Sequence, residues 1–389
     1  MIAAVAPETL RPTDLAEARD AMVDAGRGRS LVIRGAGTKA TWGAPSKPAL
    51  VVDTTALTGV VAHDPADATA TVRAGTPLAE LQGHLAEAGQ WLAVDPPHPD
   101  ATVGGTFAAN DSGPRRQRYG TLRDLVIGVT LVTSDGAVAR SGGNVIKNVA
   151  GYDLAKLLCG SLGTLGLVTE VTVRLHPLPQ VRRTVTADVD ADAATAVVLD
   201  LLASPLVISA VDWHANTLAV WLEGRPAGVA DQTRALHELL TRHGATGADA
   251  DDGDAVWDAM AAGHAGEDGD TVVRAATLPS DLPAAASAFQ RCLTEAGAEG
   301  TLTSHVGLGL HTARLTGGDA DSQGRFIAAW RSAVAAVGGH VVVRRRLPQL
   351  ADTATIWGPD PSAVALMRSV KAQLDPDRRC APGRYVGGI

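Results

Sequence analysis

The sequence contains few cysteines. Its 389 residues include three, Cys159, Cys292 and Cys380, and none of them lies in a CxxC pair. Cysteines so far apart provide neither a disulfide framework nor the clustered thiolates of a zinc or iron–sulfur site, so no metal site is predicted. The small number of thiols fits a reducing cytoplasm.

Long apolar runs and basic runs are also missing. The most apolar stretch, residues 193–211, is interrupted by Asp200 and Pro205, and the first residues show no basic region followed by a sustained apolar segment. Neither a membrane-spanning helix nor a secretion signal is therefore expected, which predicts a soluble cytoplasmic protein. With a net charge of −8 and no Lys/Arg stripe, a nucleic-acid partner is excluded.

The common nucleotide-binding motifs are absent from the loop that first suggests a nucleotide. An apolar strand at residues 30–34 runs into GAGTK, residues 35–39, which has neither the full GxxxxGK[ST] pattern nor GxGxxG. Such a strand-to-loop turn still exposes successive backbone N–H groups, which suits a diphosphate. A plain β-turn is the alternative for this pattern taken alone.

The most informative stretch is residues 142–177. Helical spacing of apolar residues from Tyr152 to Cys159 is followed by GSLGTLG, residues 160–166, and then by a strand pattern from Leu167 to Leu175. The three glycines between helix and strand allow the backbone to approach a ligand closely. By themselves they fit an ordinary helix-to-strand turn equally well.

Three segments together resemble one family. KNVAGYDLAKL followed by GSLGTLG is similar to the flavin-lining segment of FAD-linked oxidases of the vanillyl-alcohol-oxidase (PCMH) type. IRGAGTK, residues 33–39, and DPPHPDATVGGTFAANDSGPRRQRYG, residues 95–120, are similar to the family's diphosphate loop and isoalloxazine segment. Within the family, the chain most resembles the FAD-binding E subunits of multi-subunit glycolate oxidases. Because residues 35–39 include no histidine, the resemblance implies noncovalent FAD.

The resemblance implies a set of FAD contacts, carried over position by position. These are Arg34, Gly35, Ala36, Gly37, Thr38, Lys39, Asp95, Pro96, Thr102, Val103, Gly104, Gly105, Asn110, Ser112, Gly113, Tyr119, Gly120, Ser161, Gly163, Thr164, Gly166, Leu167 and Val168. Arg115, Arg116 and Arg118 stand in the same segment; they could clamp a carboxylate or form a solvated or subunit-facing patch.

The predicted fold class is α+β, in three parts. Residues 1–178 would form a two-lobed PCMH-type FAD-binding domain, residues 179–350 a ferredoxin-like antiparallel α+β cap or substrate domain, and residues 351–389 a C-terminal segment returning to the flavin domain. Strand-like and amphipathic helical pieces alternate through the second part. Residues 244–270, rich in Ala, Gly and Asp, are expected to be a mobile surface excursion with Val256, Trp257 and Met260 as its only anchors.

The candidate catalytic residues are His305 and His311. Active D-2-hydroxyacid dehydrogenases of the resembled family carry a metal and base motif close to HxGDGNxH, and the corresponding SHVGLGLH here lacks the aspartate. If the segment is one strand, the two histidines share a face, because they are six residues apart. A histidine suits removal of a hydroxyl proton, although a structural role is the alternative.

The resemblance implies oxidation of glycolate, or a related acid such as D-lactate, to the 2-oxo acid. FAD would accept hydride or relay electrons to partners: a second flavin subunit and an iron–sulfur subunit, with membrane association only through these partners. Two alternatives stay open. The chain could be a self-sufficient FAD-dependent 2-hydroxyacid dehydrogenase, or a scaffold subunit that binds no flavin.

Overall fold

The computed structural model describes residues 7–24, 28–98, 100–143 and 152–389, and at residues 353 and 354 the backbone alone. Part of the KNVAGYDLAKL segment, residues 147–151, lies outside the described residues. In chain order the elements are β1 (Glu8–Leu10), α1 (Leu15–Asp24), β2 (Leu31–Arg34), β3 (Leu50–Asp53), β4 (Val60–Asp64), β5 (Thr69–Arg73), α2 (Leu78–Ala86), β6 (Gln90–Trp91), α3 (Val103–Ala109), α4 (Arg116–Tyr119), α5 (Leu122–Leu125), β7 (Val126–Val132), β8 (Val138–Gly142), α6 (Leu154–Leu158), β9 (Leu167–Arg174), β10 (His176–Pro177), β11 (Val181–Asp188), α7 (Ala191–Ala203), β12 (Ala210–His214), β13 (Thr217–Gly224), α8 (Pro226–Arg242), β14 (Gly247–Asp249), α9 (Gly253–Ala265), β15 (Thr271–Ala276), α10 (Leu282–Ala296), β16 (Glu299–His305), β17 (Leu310–Gly317), α11 (Ala320–Ala336), β18 (His340–Arg345), α12 (Thr353–Trp357) and α13 (Val364–Leu374).

The chain divides into two compact units, each built from separate segments. The first contains Met1–Ser112, Gly120–Leu178 and Pro359–Ile389, and the second contains Gly113–Tyr119 and Pro179–Gly358. A short piece that includes α4 thus belongs to the second unit although its neighbours in sequence belong to the first.

The first unit is built on two main sheets. Strands β1, β3 and β2 form a parallel sheet in that order, and β4, β5, β9, β7 and β8 form an antiparallel one. Alternation along β9 buries Leu167, Val171 and Val173, as the sequence pattern predicts. Buried Met22 of α1 packs with Leu31 of β2 in one apolar cluster that also includes residues of β3, β7 and β9.

The C-terminal segment completes the core of this unit. Cys380 forms a parallel bridge with Leu31 and is fully buried in the same cluster. The Arg379 guanidinium donates to the carbonyl oxygens of Ser134 at 2.6 Å and Met22 at 2.9 Å. Buried carbonyls left without such donors are costly, so these bonds fix the segment in place.

The second unit is an eight-stranded sheet with the strand order β14-β11-β13-β12-β16-β17-β15-β18. Every pairing in it, within the described part of the chain, is antiparallel. Helices α7, α8, α10 and α11 bury one face of the sheet in an apolar cluster that includes Phe289, Phe326 and Trp330. The α+β class and the antiparallel arrangement are confirmed.

The opposite face of this sheet is partly covered by α9. Trp257 of α9 stacks on Trp221 of β13, with ring centroids 4.7 Å apart, and Met260 packs in the same cluster. The expectation of a mobile excursion at residues 244–270 is therefore wrong, because the segment forms β14 and a helix with a buried face. Of the expected anchors, Trp257 and Met260 are buried, and so is His264, which was not expected.

Two short helices of the first unit begin at capped residues. Residues 122–125 form the helical turn α5, in which the Asp124 carboxylate accepts hydrogen bonds from the Thr121 N–H and hydroxyl. Within the glycine-rich segment of residues 95–120, the Thr102 hydroxyl caps the first turn of α3.

Candidate functional site

A cavity of about 320 Å³ lies in the first unit, where three loops converge. Residues 32–40 supply one wall, α3 and its N-cap supply a second, and residues 161–168 supply a third. Of the predicted FAD contacts, those that line it are Arg34, Gly35, Ala36, Gly37, Thr38, Lys39, Thr102, Gly104, Gly105, Ser161, Gly163, Gly166 and Val168. The structure thus brings together residues from three separate sequence segments, each of which was predicted to contact FAD.

The loop after β2 offers free backbone donors. Within the described part of the chain, the N–H groups of residues 36–39 donate to no protein acceptor. Gly37 has a φ of +78°, and a Cβ built on it would meet no protein atom closer than 3.7 Å, at Arg34. Successive free N–H groups in an open turn of this kind form an anion-binding concavity.

Two other glycines serve a different purpose, which is close packing of the walls. A Cβ on Gly35 would lie 2.2 Å from the Thr102 hydroxyl, and one on Gly104 would lie 2.6 Å from the Ala74 side chain. Real Cβ atoms do not approach so closely, so these two glycines let the first loop, β5 and the start of α3 meet. Thr102 in turn accepts a hydrogen bond from the Gly105 N–H at 3.1 Å.

The third loop presents Gly163 to the cavity. Leu162 and Gly163 have φ values of +54° and +76°, and a hydrogen bond from the Leu162 N–H to the Ala108 carbonyl ties the loop to α3. A Cβ on Gly163 would have Ile33 as its nearest neighbour, 3.7 Å away, and would otherwise enter the cavity. The loop conformation therefore depends on glycine, and so does the free space.

The charged side chains that line the cavity in the described part of the chain are all cationic. Arg34, Lys39 and Arg384 line the cavity, and among its described lining residues there is no carboxylate. The Lys39 ammonium is buried and lies 3.2 Å from the Asp111 carboxylate. The prediction that Lys39 contacts a phosphate thus applies to its backbone N–H, because its side chain has an internal partner.

Asp53 forms an ion pair with Arg34 beside the loop. Its carboxylate lies 3.6 Å from the Arg34 guanidinium and accepts hydrogen bonds from the Thr55 N–H and hydroxyl. Burial raises the pKa of Asp53, but the Thr55 hydrogen bonds and the charges of Arg11 and Arg34 outweigh it, so the pKa lies below its usual value. Asp53 is therefore ionised at neutral pH.

Arg384 was missed by the sequence reasoning. Its guanidinium donates to the Lys39 carbonyl at 3.0 Å and to the Trp42 carbonyl at 3.0 Å, so the C-terminal segment holds the first loop. Nothing in the local sequence indicates this role, because Arg384 lies 345 residues from Lys39. The other missed lining residues have small or apolar side chains and include Ile33, Thr54, Ala74, Ala108, Ala109 and Leu162.

Ten predicted contacts lie outside the lining. Those of the first unit are Asp95, Pro96, Val103, Asn110, Ser112, Gly120, Thr164 and Leu167, and those of the second are Gly113 and Tyr119. Val103, Thr164 and Leu167 are almost fully buried among protein atoms. Asn110 ends α3 in the left-handed conformation, with φ of +47°, and accepts from the Cys159 thiol.

The two predicted catalytic histidines do not share a face. A helical turn, Val306–Leu308, separates β16 from β17, and the register pairs Ser304 with His311 and His305 with Leu310. Because side chains alternate along each strand, His305 and His311 point to opposite faces of the sheet. The one-strand assumption was wrong because Gly309, with φ of +62°, reverses the chain between them.

His311 is held in a structural environment. Its Nδ1 lies 3.0 Å from the Ser304 hydroxyl and its Nε2 lies 2.9 Å from the Thr277 hydroxyl. Burial lowers the pKa of His311 to about 4, which keeps the imidazole neutral. This supports the structural role over the catalytic one.

His305 belongs to a buried cluster on the face covered by α9. Its Nδ1 lies 2.7 Å from Asp212 Oδ1, and His264 Nε2 lies 3.3 Å from Asp212 Oδ2. The rings of His264 and His305 are stacked with centroids 3.8 Å apart. Sequence reasoning missed Asp212 and His264, since neither stands in a recognisable motif and α9 was not expected.

Burial dominates the electrostatics of this cluster. It raises the pKa of Asp212, although hydrogen bonding to His264 and the charges of His264 and Arg274 act in the opposite direction. It lowers the pKa of His264 to about 3, and the neighbouring His305 acts in the same direction. At neutral pH the His264 imidazole is therefore uncharged and has a nitrogen lone pair.

The arginines of residues 115–118 bind inside the second unit. Arg115 donates to both oxygens of the buried Glu223 carboxylate, and its guanidinium lies 3.7 Å from the centre of the Trp221 ring. Arg118 donates to the Ser209 hydroxyl and the Glu223 carbonyl. For Arg115, Glu223 occupies the place that a substrate carboxylate would take in the predicted clamp.

Comparisons with known proteins agree with this geometry. Residues 7–142 match the family model for the FAD binding domain, and residues 353–385 match that for the C-terminal domain of FAD linked oxidases. Two solved structures of alkyldihydroxyacetonephosphate synthase, in different crystal forms, share the fold. One has a TM-score of 0.72 at 15% identity and covers 97% of this chain and 77% of that one.

Similar sequences include two glycolate oxidase subunits. Subunit GlcE of Escherichia coli (strain K12) is 38% identical over 212 residues, 54% of this chain and 59% of the relative. Subunit GlcD of Bacillus subtilis (strain 168) is 35% identical over 186 residues, 47% of this chain and 40% of the relative. A D-lactate dehydrogenase of Archaeoglobus fulgidus is 39% identical over 151 residues, 38% of this chain and 33% of the relative. The matches thus span less than two thirds of each relative.

The fold and the glycine-lined cavity define an FAD-binding protein of the PCMH type. The chain contains the FAD binding domain, and part of the C-terminal domain, that the FAD linked oxidases have, and its cofactor is FAD. The residues that line the cavity fit this cofactor. Gly37 and Gly163, both with positive φ, leave room for it beside the backbone N–H groups of residues 36–39 and the cationic side chains of the lining. Among the described helices, none has the length and apolar content needed to cross a membrane.

Proposed function

We propose that this chain is the FAD-binding subunit of a multi-subunit oxidase or dehydrogenase that converts glycolate, or D-lactate, to the 2-oxo acid. The observation that carries the proposal is the cavity that residues 32–40, α3 and residues 161–168 form together. Bound FAD would supply the redox chemistry, as the acceptor of a hydride from the carbon that bears the hydroxyl group.

The chain's own residues bind the cofactor through backbone and charge. The N–H groups of residues 36–39 would donate to the diphosphate, and Arg34, oriented by Asp53, would offset its charge. Gly163 gives the third loop close approach to the cofactor. The lining contains no histidine, cysteine or tyrosine among the described residues, which supports noncovalent binding.

The ten predicted contacts outside the lining remain part of the proposal on the strength of the family resemblance alone. They are Asp95, Pro96, Val103, Asn110, Ser112, Gly113, Tyr119, Gly120, Thr164 and Leu167. Several of them act on the cavity indirectly. The Thr164 hydroxyl, for example, donates to the Ser161 carbonyl at 2.7 Å and fixes a lining residue.

The altered histidine motif supports a relay role within a complex. Of the two predicted catalytic histidines, His305 keeps a polar cluster around it, whereas His311 is held between two hydroxyl groups on the other face. A second flavin subunit would then perform the dehydrogenation with an intact motif, and an iron–sulfur subunit would receive the electrons. Such a complex would reside in the cytoplasm and reach a membrane only through these partners.

Two other functions make different predictions. A self-sufficient 2-hydroxyacid dehydrogenase would use His305 for proton removal and would turn over substrate without partners. A scaffold subunit would bind no flavin. The free N–H groups and open glycines of the cavity weigh against a scaffold, because close packing alone does not require them.

The deciding experiment is an absorbance spectrum of the purified chain before and after anaerobic addition of glycolate, then of D-lactate. A flavin band at about 450 nm that bleaches only when the partner subunits are present is expected. Bleaching by the isolated chain would favour the self-sufficient dehydrogenase. No band after incubation with FAD would leave the scaffold. Acid precipitation checks the linkage, since noncovalent FAD is released into the supernatant.

A further inference from the structure

The geometry points to a divalent transition-metal site, of the zinc type, formed by Asp212, His264 and His305 in the second unit. One ligand atom of each residue lies within 4.8 Å of the other two, and all three side chains are buried. The family motif predicts no such set, because Asp212 and His264 lie outside residues 304–311 and His311 faces the other side of the sheet.

The donor set is of the right kind. Two imidazoles and one carboxylate are a common set of three protein ligands for zinc, with the fourth position left to water or substrate. Tetrahedral zinc with bonds of about 2.0 Å spaces its ligand atoms by about 3.3 Å. The contact between Asp212 Oδ2 and His264 Nε2 is 3.3 Å, and that between Asp212 Oδ1 and His305 Nδ1 is 2.7 Å. A small increase in the distance between Asp212 Oδ1 and His305 Nδ1 would therefore make room for the ion.

The outer hydrogen bond of His264 is already in place. Its Nδ1 lies 2.8 Å from the Thr312 hydroxyl, while Nε2 points to Asp212. A hydroxyl can donate or accept, so Thr312 suits His264 with either nitrogen protonated. When Nε2 binds a metal, Nδ1–H donates to Thr312, and such second contacts orient metal-bound histidines.

A strand pairing and a close contact between a helix and the sheet bring the three ligand residues together. Asp212 on β12 and His305 on β16 are direct partners in the sheet register. His264 reaches them from α9, next to Gly263, where a Cβ would lie 2.2 Å from the Thr303 hydroxyl. A glycine at this position lets the helix approach the sheet more closely than any other residue would.

The charges in and around the cluster determine which cations it can bind. Asp212 has two imidazoles as its polar contacts, and these are neutral when they bind a metal, so the cluster lacks positive charge of its own. The charge of Arg274 also acts on Asp212 and His264 and opposes any cation. Hard ions such as Mg²⁺, which depend on several carboxylates, are therefore disfavoured, and an ion with high affinity for imidazole is expected.

The test is the metal content of the FAD-loaded full chain after chelation and incubation with Zn²⁺. About one equivalent is expected in the wild type, with loss in Asp212→Asn and His264→Gln. Thr312→Val should bind roughly 10- to 100-fold more weakly, as loss of an outer hydrogen bond does elsewhere. His311→Gln is the matched control, a buried histidine of the neighbouring strand outside the cluster, and should keep its zinc.

Co²⁺ gives a second measurement on the wild type, which needs no variant to fold. A visible absorption band typical of four-coordinate Co²⁺ is expected, and it should disappear when Zn²⁺ is added. Absence of bound metal in the wild type, or equal binding by wild type and His264→Gln, would overturn the site. FAD content is measured on the same samples, so failure of the metal site and failure of FAD binding are distinguished.

Discussion

Arg115 donates to Glu223 through Nε at 3.2 Å and Nη2 at 2.8 Å, although 108 positions separate the two residues. Glu223 is 2% exposed, and Arg182 lies 3.4 Å from the same carboxylate. The pair fixes residues 113–119 in the second unit, because the guanidinium also covers the Trp221 ring.

Glu223→Gln should lower the free energy of unfolding by about 3–5 kcal/mol, since it removes the buried carboxylate charge that Arg115 contacts. Urea unfolding followed by tryptophan fluorescence measures this, because Trp221 and Trp257 report on the same region. Glu238→Gln, on the exposed face of α8, is the control and should stay within about 0.5 kcal/mol of wild type. Equal stability of both variants would show that the buried pair contributes little.

Gly163→Val should abolish stable FAD binding. The side chain would enter the cavity, and the φ of +76° adds a cost of about 1–2 kcal/mol. Gly89→Val is a matched control for the backbone cost, because Gly89 has a φ of +69° and no atom near its Cβ, and it does not line the cavity. The flavin-to-protein absorbance ratio should fall at least tenfold in the first variant only. A similar fall in both would assign the loss to backbone strain.

Lys371→Met should destabilise the first unit and weaken FAD binding. The ammonium donates to the Asp375 carboxylate and to the Thr164 carbonyl, each at 2.6 Å, and to the Cys380 carbonyl at 2.8 Å. Removing the cation leaves the buried Asp375 carboxylate with its two backbone donors but without the Lys371 charge, at a cost of about 3–5 kcal/mol. It also frees Thr164, in the loop that presents Gly163.

Thermal unfolding of the FAD-loaded protein and FAD titration of the apoprotein measure the two effects of Lys371→Met. The matched control is Lys156→Met, whose ammonium pairs with Asp153 at 3.0 Å on the surface. Exposed pairs contribute less than about 1 kcal/mol. A control as unstable as Lys371→Met would contradict the argument from burial.

His311 should make stability depend on pH. Burial lowers its folded-state pKa to about 4, below the unfolded value of 6.5, so the unfolded chain binds more protons between these values. The stability it contributes is present above pH 6.5 and is lost as pH falls toward 4, by up to about 3 kcal/mol. His311→Gln should reduce this slope in urea midpoints measured across the same window. An unchanged slope would show that other groups control it.

Much of the first unit could be predicted because its signals are local. The alternation along β9 and the glycines of residues 35–39 and 160–166 depend on backbone properties that each segment expresses by itself. The family resemblance predicts that the C-terminal segment returns to the flavin domain, but not that Arg384 contacts the first loop, because that contact depends on tertiary structure.

The histidine cluster could not be predicted for a similar reason. Whether His305 and His311 share a face depends on one tight turn, and Gly309 places that turn between them. His264 depends on a helix whose anchors are separated by alanines, aspartates and glycines, a composition typical of loops. Each of these features is decided by tertiary pairing, which local propensity does not encode.

The division of the chain into interleaved segments has a consequence for synthesis. The long segment of the second unit, Pro179–Gly358, is contiguous, whereas the first unit needs Pro359–Ile389, including Lys371, Arg379 and Arg384. Domains fold as their residues leave the ribosome, N-terminal parts first. Here the order is reversed: the flavin-binding unit begins first but is completed last, so FAD can be captured fully only after the whole second unit has been translated.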